Sequence, residues 1–224
     1  MVACLWFVCG SSLIWALAYL ALCNVNHMHT SEWNCRIIAM IHSLLVTKLV
    51  EVMALITGPW PFTTLAHPNT SLQNITLIIS AGYFIFDIIW CTVMQTEGYT
   101  MMAHHVISAV SLIGVLLHGK SASEVVAVVW GSELTNPFLQ IRWFLREAKA
   151  YDTKLSKVND AIFIILFAFV RVGIGAYVDF LVLQSATTVW WIKIGGTAFY
   201  LIGLIWMWQI LCFAKKRFFS TKKY

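Results

Sequence analysis

Residues 75–95 read ITLIISAGYFIFDIIWCTVMQ, an apolar run of 21 residues in which Asp87 is the only acidic or basic side chain. Because a helix rises 1.5 Å per residue, such a run is about 30 Å long, which matches the hydrocarbon core of a bilayer. The run predicts a membrane-spanning helix. The Asp87 carboxylate lies well inside this run, at membrane depth, and so predicts that one face of the helix turns away from lipid.

Six further apolar runs extend this pattern along the chain, and each is separated from the next by turn residues or charged residues. They cover about 2–23, 36–57, 101–118, 124–145, 158–183 and 189–213. The second and fifth spans carry several polar groups and the fourth is short, so six spans is the alternative count. We therefore predict an all-α, multi-pass membrane helical bundle of about seven spans.

The composition of the whole chain agrees with a membrane protein. Of its 224 residues, 60% are hydrophobic and 11% are charged, and the mean hydropathy is +0.78. An ordinary globular chain has about a quarter charged residues. The composition excludes collagen-like, disordered and nucleic-acid-binding classes, so no nucleic acid partner is expected.

The basic residues predict the orientation of the bundle, because short cytosolic loops retain Lys and Arg. In the seven-span arrangement only Lys120 and Lys193 lie on the opposite side from the majority. The majority are Arg36, Arg146, Lys149, Lys154, Lys157, Lys215, Lys216, Arg217, Lys222 and Lys223. This distribution predicts a cytosolic C-terminus and a luminal N-terminus.

Two glycosylation sequons, at Asn69 and Asn74, lie in the loop that this orientation makes luminal. The charge distribution and the sequon positions therefore agree independently. The first apolar run has no basic residues before it and is long, which favours a retained helix over a removable signal peptide. The six cysteines show no paired or metal-like spacing, so no disulfide framework is predicted.

Ionisable and amide side chains recur inside the spans, where each costs several kcal/mol unless it is paired or faces water. The helical rise places most of them in the cytosolic half of the membrane. This distribution predicts a polar cavity that is enclosed by the bundle and open to the cytosolic side. The cavity-lining candidates are His42, Asp87, Asn136, Gln140 and Arg171, and further polar residues in spans are Lys48, Glu51, Glu133, Arg142 and Asp179.

Some of these residues have a structural interpretation as well. Lys48 and Glu51 are three residues apart, a spacing typical of an ion pair within one helix. Asp87 and Arg171 could pair between helices, and Arg142 could extend to the cytosolic interface. Glu133, Asn136 and Gln140 fall on one helical stripe, which suits either a cavity wall or hydrogen-bonded packing.

His104 and His105 are the candidate catalytic residues, together with Glu133. A neutral imidazole can act as a general base when a carboxylate such as Asp87 or Glu133 orients it. Adjacent histidines point about 100° apart on a helix and cannot both reach one ion. No metal site is therefore predicted, and the alternative is that both histidines are interfacial residues satisfied by headgroups or backbone.

The same residues resemble the TLC-domain family, which includes the ceramide synthases. The resemblance rests on His104-His105-Val-Ile-Ser, on the later segment from Glu133 to Leu145, and on Tyr83 to Asp87. It covers roughly residues 30–214 as a TLC-like transmembrane domain, preceded by an N-terminal helix and loop over 1–29 and followed by a basic cytosolic tail over 215–224. It implies a bundle around a cavity open to the cytosol.

In ceramide synthases the paired histidines and two downstream aspartates are tied to N-acylation of a sphingoid base by acyl-CoA. Here His104 and His105 match the histidines, while Glu133 and Asn136 stand at the aspartate positions. An amide cannot act as a base, so the resemblance favours a protein that binds an acyl-chain lipid and influences membrane lipid composition. The alternative is an acyl-CoA-dependent N- or O-acyltransferase, and a receptor or a transporter is less supported.

The expected partner is a membrane lipid or acyl-CoA, with acyl-CoA a candidate substrate and no cofactor. The expected compartment is the endoplasmic reticulum, with the plasma membrane as the alternative. The sequence does not indicate an oligomeric state.

Overall fold

The computed structural model describes residues 2–56 and 58–219, and within them the chain forms a bundle of seven membrane-length helical segments. The first five are α1 (Val2–Val25), α2 (Ser31–Ile56), α3 (Ser71–Met94), α4 (Tyr99–His118) and α5 (Ala122–Glu147). The sixth combines α6 (Lys154–Leu166), π-helical turns (Phe167–Ile174) and α7 (Gly175–Gln184). The seventh is α8 (Trp190–Ala214), which continues into a π-helical turn (Lys215–Phe219). The prediction of an all-α membrane bundle is confirmed.

Local sequence explains where these helices begin and end. Thr70 starts α3 with a capping box, in which its hydroxyl accepts from the Gln73 backbone and the Gln73 side chain accepts from the Thr70 backbone. Gly119 ends α4 with a positive φ of 74°, which a residue without Cβ adopts at no steric cost. Thr153 caps α6 by accepting a hydrogen bond from the Ser156 amide.

Five of the segments are apolar and long enough to cross a membrane, as the sequence predicts. The exceptions are α2 and α5, whose 26 residues each are long enough but include polar side chains. These two helices pack along each other, and α3 packs against both. Burial between other helices explains how they tolerate polar residues that lipid would reject.

Large apolar side chains cover the outside of the bundle. Trp6, Ile14, Val93, Phe169 and Trp208 are all highly exposed. On a soluble protein so extensive an apolar surface would mark a binding site. On helices of this length it is the surface that contacts lipid tails.

The loop before α3 is held against the turn between α4 and α5. The Asn69 backbone amide donates to the Gly119 carbonyl, and the Ser121 amide donates to the His67 carbonyl. Glu124, which is 1% exposed, accepts a hydrogen bond from the Ala66 amide. This buried carboxylate, which the sequence analysis missed, fixes the loop to the start of α5.

Both sequon asparagines take part in this packing. The Asn69 amide donates to Asn74 Oδ1 at 3.1 Å and to the Val115 carbonyl at 3.1 Å. Its oxygen accepts from the Ala122 amide at 3.0 Å. These bonds give Asn69 a structural role, and glycosylation at Asn69 or Asn74 stays a prediction.

Arg142, for which the sequence suggested an extension to the cytosolic interface, lies near the end of α5 and contacts neighbouring side chains. Its guanidinium lies 3.4 Å from Asp160 and stacks 3.8 Å above the Phe213 ring. Asp160 also accepts a 2.9 Å hydrogen bond from Arg217, which belongs to the predicted basic tail. The structure thus ties the start of this tail into the bundle, while residues 220–224 of the predicted tail lie outside the described residues.

Candidate functional site

A polar chamber of about 290 Å³ lies inside the bundle, at the end that holds the α1–α2, α3–α4 and α5–α6 connections. Helices α2 to α5, the sixth segment and α8 all contribute to its wall. The predicted residues on the wall are Asp87, His104, His105, Glu133, Asn136, Gln140 and Arg171. In the structure these seven predicted residues therefore lie on the wall of one chamber.

His42 is placed differently from the sequence prediction. It is fully buried behind the wall, where its ring stacks on Tyr83 with centroids 3.9 Å apart. Its Nδ1 lies 3.4 Å from Glu133 Oε2, and its Nε2 lies 3.4 Å from the Ser80 hydroxyl. His42 therefore supports Glu133 from behind.

A chain of hydrogen bonds connects the mouth of the chamber to Glu133. Arg36 donates to Gln140 at 3.2 Å, and Gln140 donates to Asn136 at 2.9 Å. Asn136 then donates to Glu133 at 3.2 Å. The amide at position 136 thus positions the carboxylate at 133, and the helical stripe of α5 forms one connected wall.

The two adjacent histidines have different surroundings. His105 Nδ1 lies 3.0 Å from Asp87 Oδ2, so α3 supplies the carboxylate that faces this imidazole. His104 lies among aromatic rings, with centroids 4.7 Å from Phe199 and 4.9 Å from Trp206. Glu133, which the sequence suggested as the orienting carboxylate for either histidine, instead pairs with His42.

Arg171 lies deep in the bundle on the π-helical turns of the sixth segment. It donates to the Ser132 backbone carbonyl at 2.9 Å, and its guanidinium lies 5.2 Å from the Phe167 ring centroid. Among the described residues no carboxylate lies within 4.0 Å of it. A guanidinium on a cavity wall that forms no ion pair within 4.0 Å among the described residues is suited to an anionic or carbonyl group of a ligand.

The α5 backbone around Pro137 is satisfied by neighbouring side chains. Proline has no N–H and leaves a helix with unbonded carbonyls. The Phe138 carbonyl accepts from Asn159 at 2.9 Å, and Ser132 accepts from Arg171. Side-chain donors from the sixth segment thus bond one carbonyl on either side of Pro137, while the carbonyl that faces the missing proline N–H is that of Glu133, four residues earlier.

A second chamber adjoins the first, towards the opposite end of the bundle. Apolar side chains line most of it, including Val115, Val129, Ile174 and Val178. Phe84 and Arg171 lie on the walls of both chambers, so the two spaces meet at these residues. The sequence gives no signal for this apolar chamber, because the apolar residues that line it are of the same types as those that face lipid.

The mouth of the polar chamber carries an ion pair that the sequence analysis also missed. Glu97, in the loop between α3 and α4, lies 3.5 Å from Arg36. Burial raises the pKa of the Glu97 carboxyl above its usual value, and the nearby Arg36 guanidinium offsets only part of this effect. The charged carboxylate is therefore partly desolvated at the mouth.

We expect this site to make stability depend on pH. Because the pKa of Glu97 is higher in the folded protein, its contribution becomes less favourable as pH rises from about 4.3, the unfolded value, through the folded pKa. Glu97→Gln should remove this dependence, so the melting temperature of the variant should gain on wild type as pH is raised through that window. Thermal unfolding in detergent at a series of pH values measures the difference, and a constant difference would contradict it.

Known proteins with similar sequences identify the family of this chain. A family model described as the TLC domain matches residues 2–213. TLC domain-containing protein 4 of Homo sapiens is 31% identical over 156 residues, which cover 63% of this chain and 54% of that protein.

Two Dictyostelium discoideum proteins are also similar. TLC domain-containing protein 4 A is 25% identical over 151 residues, covering 66% of this chain and 58% of the relative. TLC domain-containing protein 4 C is 26% identical over 166 residues, covering 71% and 58%. The matched regions thus span somewhat more than half the length of these relatives. The match of the family model to nearly the whole described bundle shows that the chain belongs to the TLC domain family.

Proposed function

We propose that this protein binds an acyl-chain lipid or acyl-CoA inside the bundle and thereby influences membrane lipid composition. The observation that carries the proposal is the junction of a polar and an apolar chamber at Phe84 and Arg171. An amphiphile needs two such adjoining environments, one for its head and one for its hydrocarbon chain.

The apolar chamber is suited to a hydrocarbon chain. Its wall combines branched aliphatic side chains with Gly195, Gly196 and Gly203 of α8. Glycines leave room that larger side chains would fill. Adding a Cβ at Gly203 would meet no atom within 4 Å, so open space faces this position.

The polar chamber is suited to the head of the ligand. Arg171 at the junction can donate to a carbonyl or an anionic oxygen, because its only hydrogen-bond acceptor among the described residues is the Ser132 carbonyl. The amides of Asn136 and Gln140 and the imidazoles of His104 and His105 offer further donors and acceptors. The charged mouth at Arg36 and Glu97 allows water to reach this space.

The basic residues support a cytosolic location for this mouth. Arg36, Arg146 and Lys149 lie at the same end of the bundle as the polar chamber. By the positive-inside rule this end faces the cytosol, where acyl-CoA is available. We propose the endoplasmic reticulum as the compartment, with the N-terminus in its lumen.

Acyl transfer is the second candidate function, and the His105–Asp87 pair favours it. Asp87 faces Nδ1 at 3.0 Å, and no described residue hydrogen-bonds Nε2, which leaves that nitrogen for a molecule in the chamber. A base of this kind can take the proton of a hydroxyl or amine as it attacks an acyl thioester. His104, on the same wall, is the other imidazole that could act as the base.

One experiment separates binding from transfer. We expect protein purified in mild detergent to carry an acyl-chain lipid, detected by mass spectrometry of the extracted ligand. Labelled acyl-CoA should stay intact if the protein only binds lipids, and label should move to an acceptor lipid if it is a transferase. Removal of a general base reduces turnover by about 10²–10⁴-fold, so His104→Ala and His105→Ala should abolish transfer while leaving the binding of the chain.

Lys48→Ala is a matched control, because the Lys48 side chain is largely exposed and lies outside both chambers. Its ligand content and any transfer activity should equal those of wild type. Protein that contains no acyl-chain lipid and takes up none from mixed vesicles would contradict the proposal.

A further inference from the structure

Three potential metal ligands from two helices meet on the wall of the polar chamber. One ligand atom from each of Asp87, Cys91 and His105 lies within 4.8 Å of the other two. Asp87 and Cys91 are four residues apart on α3, a spacing that places both on one helical face. His105 comes from α4, and all three residues are buried, with exposed fractions of 5% to 8%.

The spacing of these atoms fits a small tetrahedral ion. With Zn–S of about 2.3 Å and Zn–N or Zn–O of about 2.0–2.1 Å, neighbouring ligand atoms lie roughly 3.3–3.6 Å apart. The Cys91 sulfur is 3.9 Å from Asp87 Oδ1, and His105 Nδ1 is 3.0 Å from Asp87 Oδ2. These two separations use the two different oxygens of Asp87, and one ligand atom from each residue lies within 4.8 Å of the other two, so modest side-chain rotations would bring the three atoms around one ion.

The His105 imidazole gives an independent indication. Although Nδ1 lies 3.0 Å from Asp87 Oδ2, the two atoms do not form a hydrogen bond, and among the described residues Nδ1 has no hydrogen-bond partner. The nitrogen and the oxygen therefore approach side by side, as two ligands of one cation do. A ring nitrogen that makes no hydrogen bond but has a carboxylate oxygen 3.0 Å away, on a side chain that is only 10% exposed, is suited to sharing a cation with that oxygen.

We propose that Asp87, Cys91 and His105 bind a zinc ion on the wall of the polar chamber. Thiolate, imidazole and carboxylate together favour zinc over magnesium or calcium, which prefer oxygen ligands. The Cys91 thiol releases its proton when the ion binds. The fourth coordination position faces the chamber, where it accepts water or an oxygen of a bound molecule.

Cys35 of α2 supports this site from behind. Its thiol donates to Asp87 Oδ1 at 3.7 Å and so helps to orient the carboxylate. An outer partner of this kind contributes about 10–100-fold to metal affinity. The site needs only one member of the adjacent histidine pair, which is why the divergence of His104 and His105 does not prevent it.

Metal content tests the proposal directly. Protein expressed with zinc in the medium and purified without chelators should contain roughly one zinc per chain by plasma mass spectrometry. After chelation and refilling with Co²⁺, it should show thiolate-to-cobalt charge-transfer absorption. Wild-type protein with neither signal overturns the proposal, and a reduced thiol–carboxylate cluster would then account for the contacts of Cys35 and Cys91 with Asp87.

Variants assign the ligands. Cys91→Ser and His105→Ala should lose the bound zinc, and Cys91→Ser should lose the charge-transfer band, whereas Cys212→Ser is a control because its thiol is exposed. Cys35→Ala, which removes the donor to Asp87, should keep the metal and bind it at least about tenfold more weakly. Zinc that remains after both ligand substitutions overturns the assignment. If a ligand variant does not fold, the spectrum of the Co²⁺-refilled wild-type protein still shows whether a cysteine binds the metal. Only a thiolate ligand produces the charge-transfer band.

The zinc site and the proposed lipid binding are separable. Metal content is measured whether or not a lipid co-purifies, so failure of the zinc proposal and failure of the lipid proposal are seen separately. If zinc is bound through His105, the imidazole that remains available as a base is that of His104.

Discussion

Gly203→Phe should remove the bound acyl chain from this protein and leave the bundle folded. Gly203 is buried on α8 and lies on the wall of the apolar chamber. A Cβ at this position would meet no atom within 4 Å, so open space faces it, and we expect the aromatic ring to enter the chamber. A hydrocarbon chain and a phenylalanine ring cannot fill the same space, because protein interiors are close-packed.

The size of the effect follows from the buried length of the chain. Each methylene group removed from water contributes about 0.8 kcal/mol, so the loss of roughly four to six buried methylenes weakens binding by about 3–5 kcal/mol, which is a factor of roughly 10²–10⁴. Extraction of the purified variant and quantitative mass spectrometry of its lipids measures the change. The polar chamber is unaltered, so its metal content should match that of wild type.

Gly10→Phe is the matched control for this substitution. Gly10 is exposed on α1, and an added Cβ there also meets no atom within 4 Å. Its ring would extend into lipid, so the acyl-chain content should not change. Equal lipid content in Gly203→Phe and wild type, with both proteins folded, would show that the ligand does not use the apolar chamber.

Asp160→Ala should strongly destabilise the bundle. The Asp160 side chain is fully buried, and it lies 2.9 Å from Arg217 Nε and 3.4 Å from Arg142 Nε. The Arg217 side chain is itself only 5% exposed. Removal of the carboxylate leaves Arg142 without an ion-pair partner among the described residues and leaves Arg217 with only the exposed Asp152. Breaking a buried ion pair from one side costs about 3–5 kcal/mol.

This cost should appear as a much lower melting temperature in detergent and as loss of monodisperse protein during gel filtration. Asp152→Ala is the control, because Asp152 lies 3.5 Å from the same Arg217 but its side chain is 95% exposed. A surface ion pair contributes about 0–1 kcal/mol, so this variant should unfold close to wild type. If the Asp160 and Asp152 variants unfold at the same temperature, the structural role that we assign to the ion pairs of Asp160 with Arg142 and Arg217 is wrong.

Arg217 has a structural role that its position in a basic segment did not indicate. In the sequence it is one of several cations after the last apolar run, where its evident role is to orient the chain. In the structure it donates to Asp160, to the Ser156 hydroxyl and to the Tyr151 carbonyl. The sequence did contain one signal for this role. Asp160 is an acidic residue near the start of a long apolar segment, where it needs a basic partner.

The sequence by itself determined the helices, and it determined which of them carry the polar interior. Without water in the hydrocarbon core, an apolar run must satisfy its own backbone in a helix, so run length and turn residues locate the spans. Asp87, Glu133 and His105 are predicted in the same half of the membrane, because the depth of each polar residue is counted from a helix end at a fixed rise.

Only the tertiary structure decided which of these side chains meet. The sequence left Glu133 and Asp87 as alternative partners for the histidine pair, whereas the packed helices join Asp87 to His105 and Glu133 to His42. The sequence also did not predict that Cys91 lies beside Asp87 and His105, or that the two chambers meet at Arg171. The physical reason is that depth follows from residue number, whereas contact depends on the rotation of each helix about its axis, which packing against several neighbours sets together.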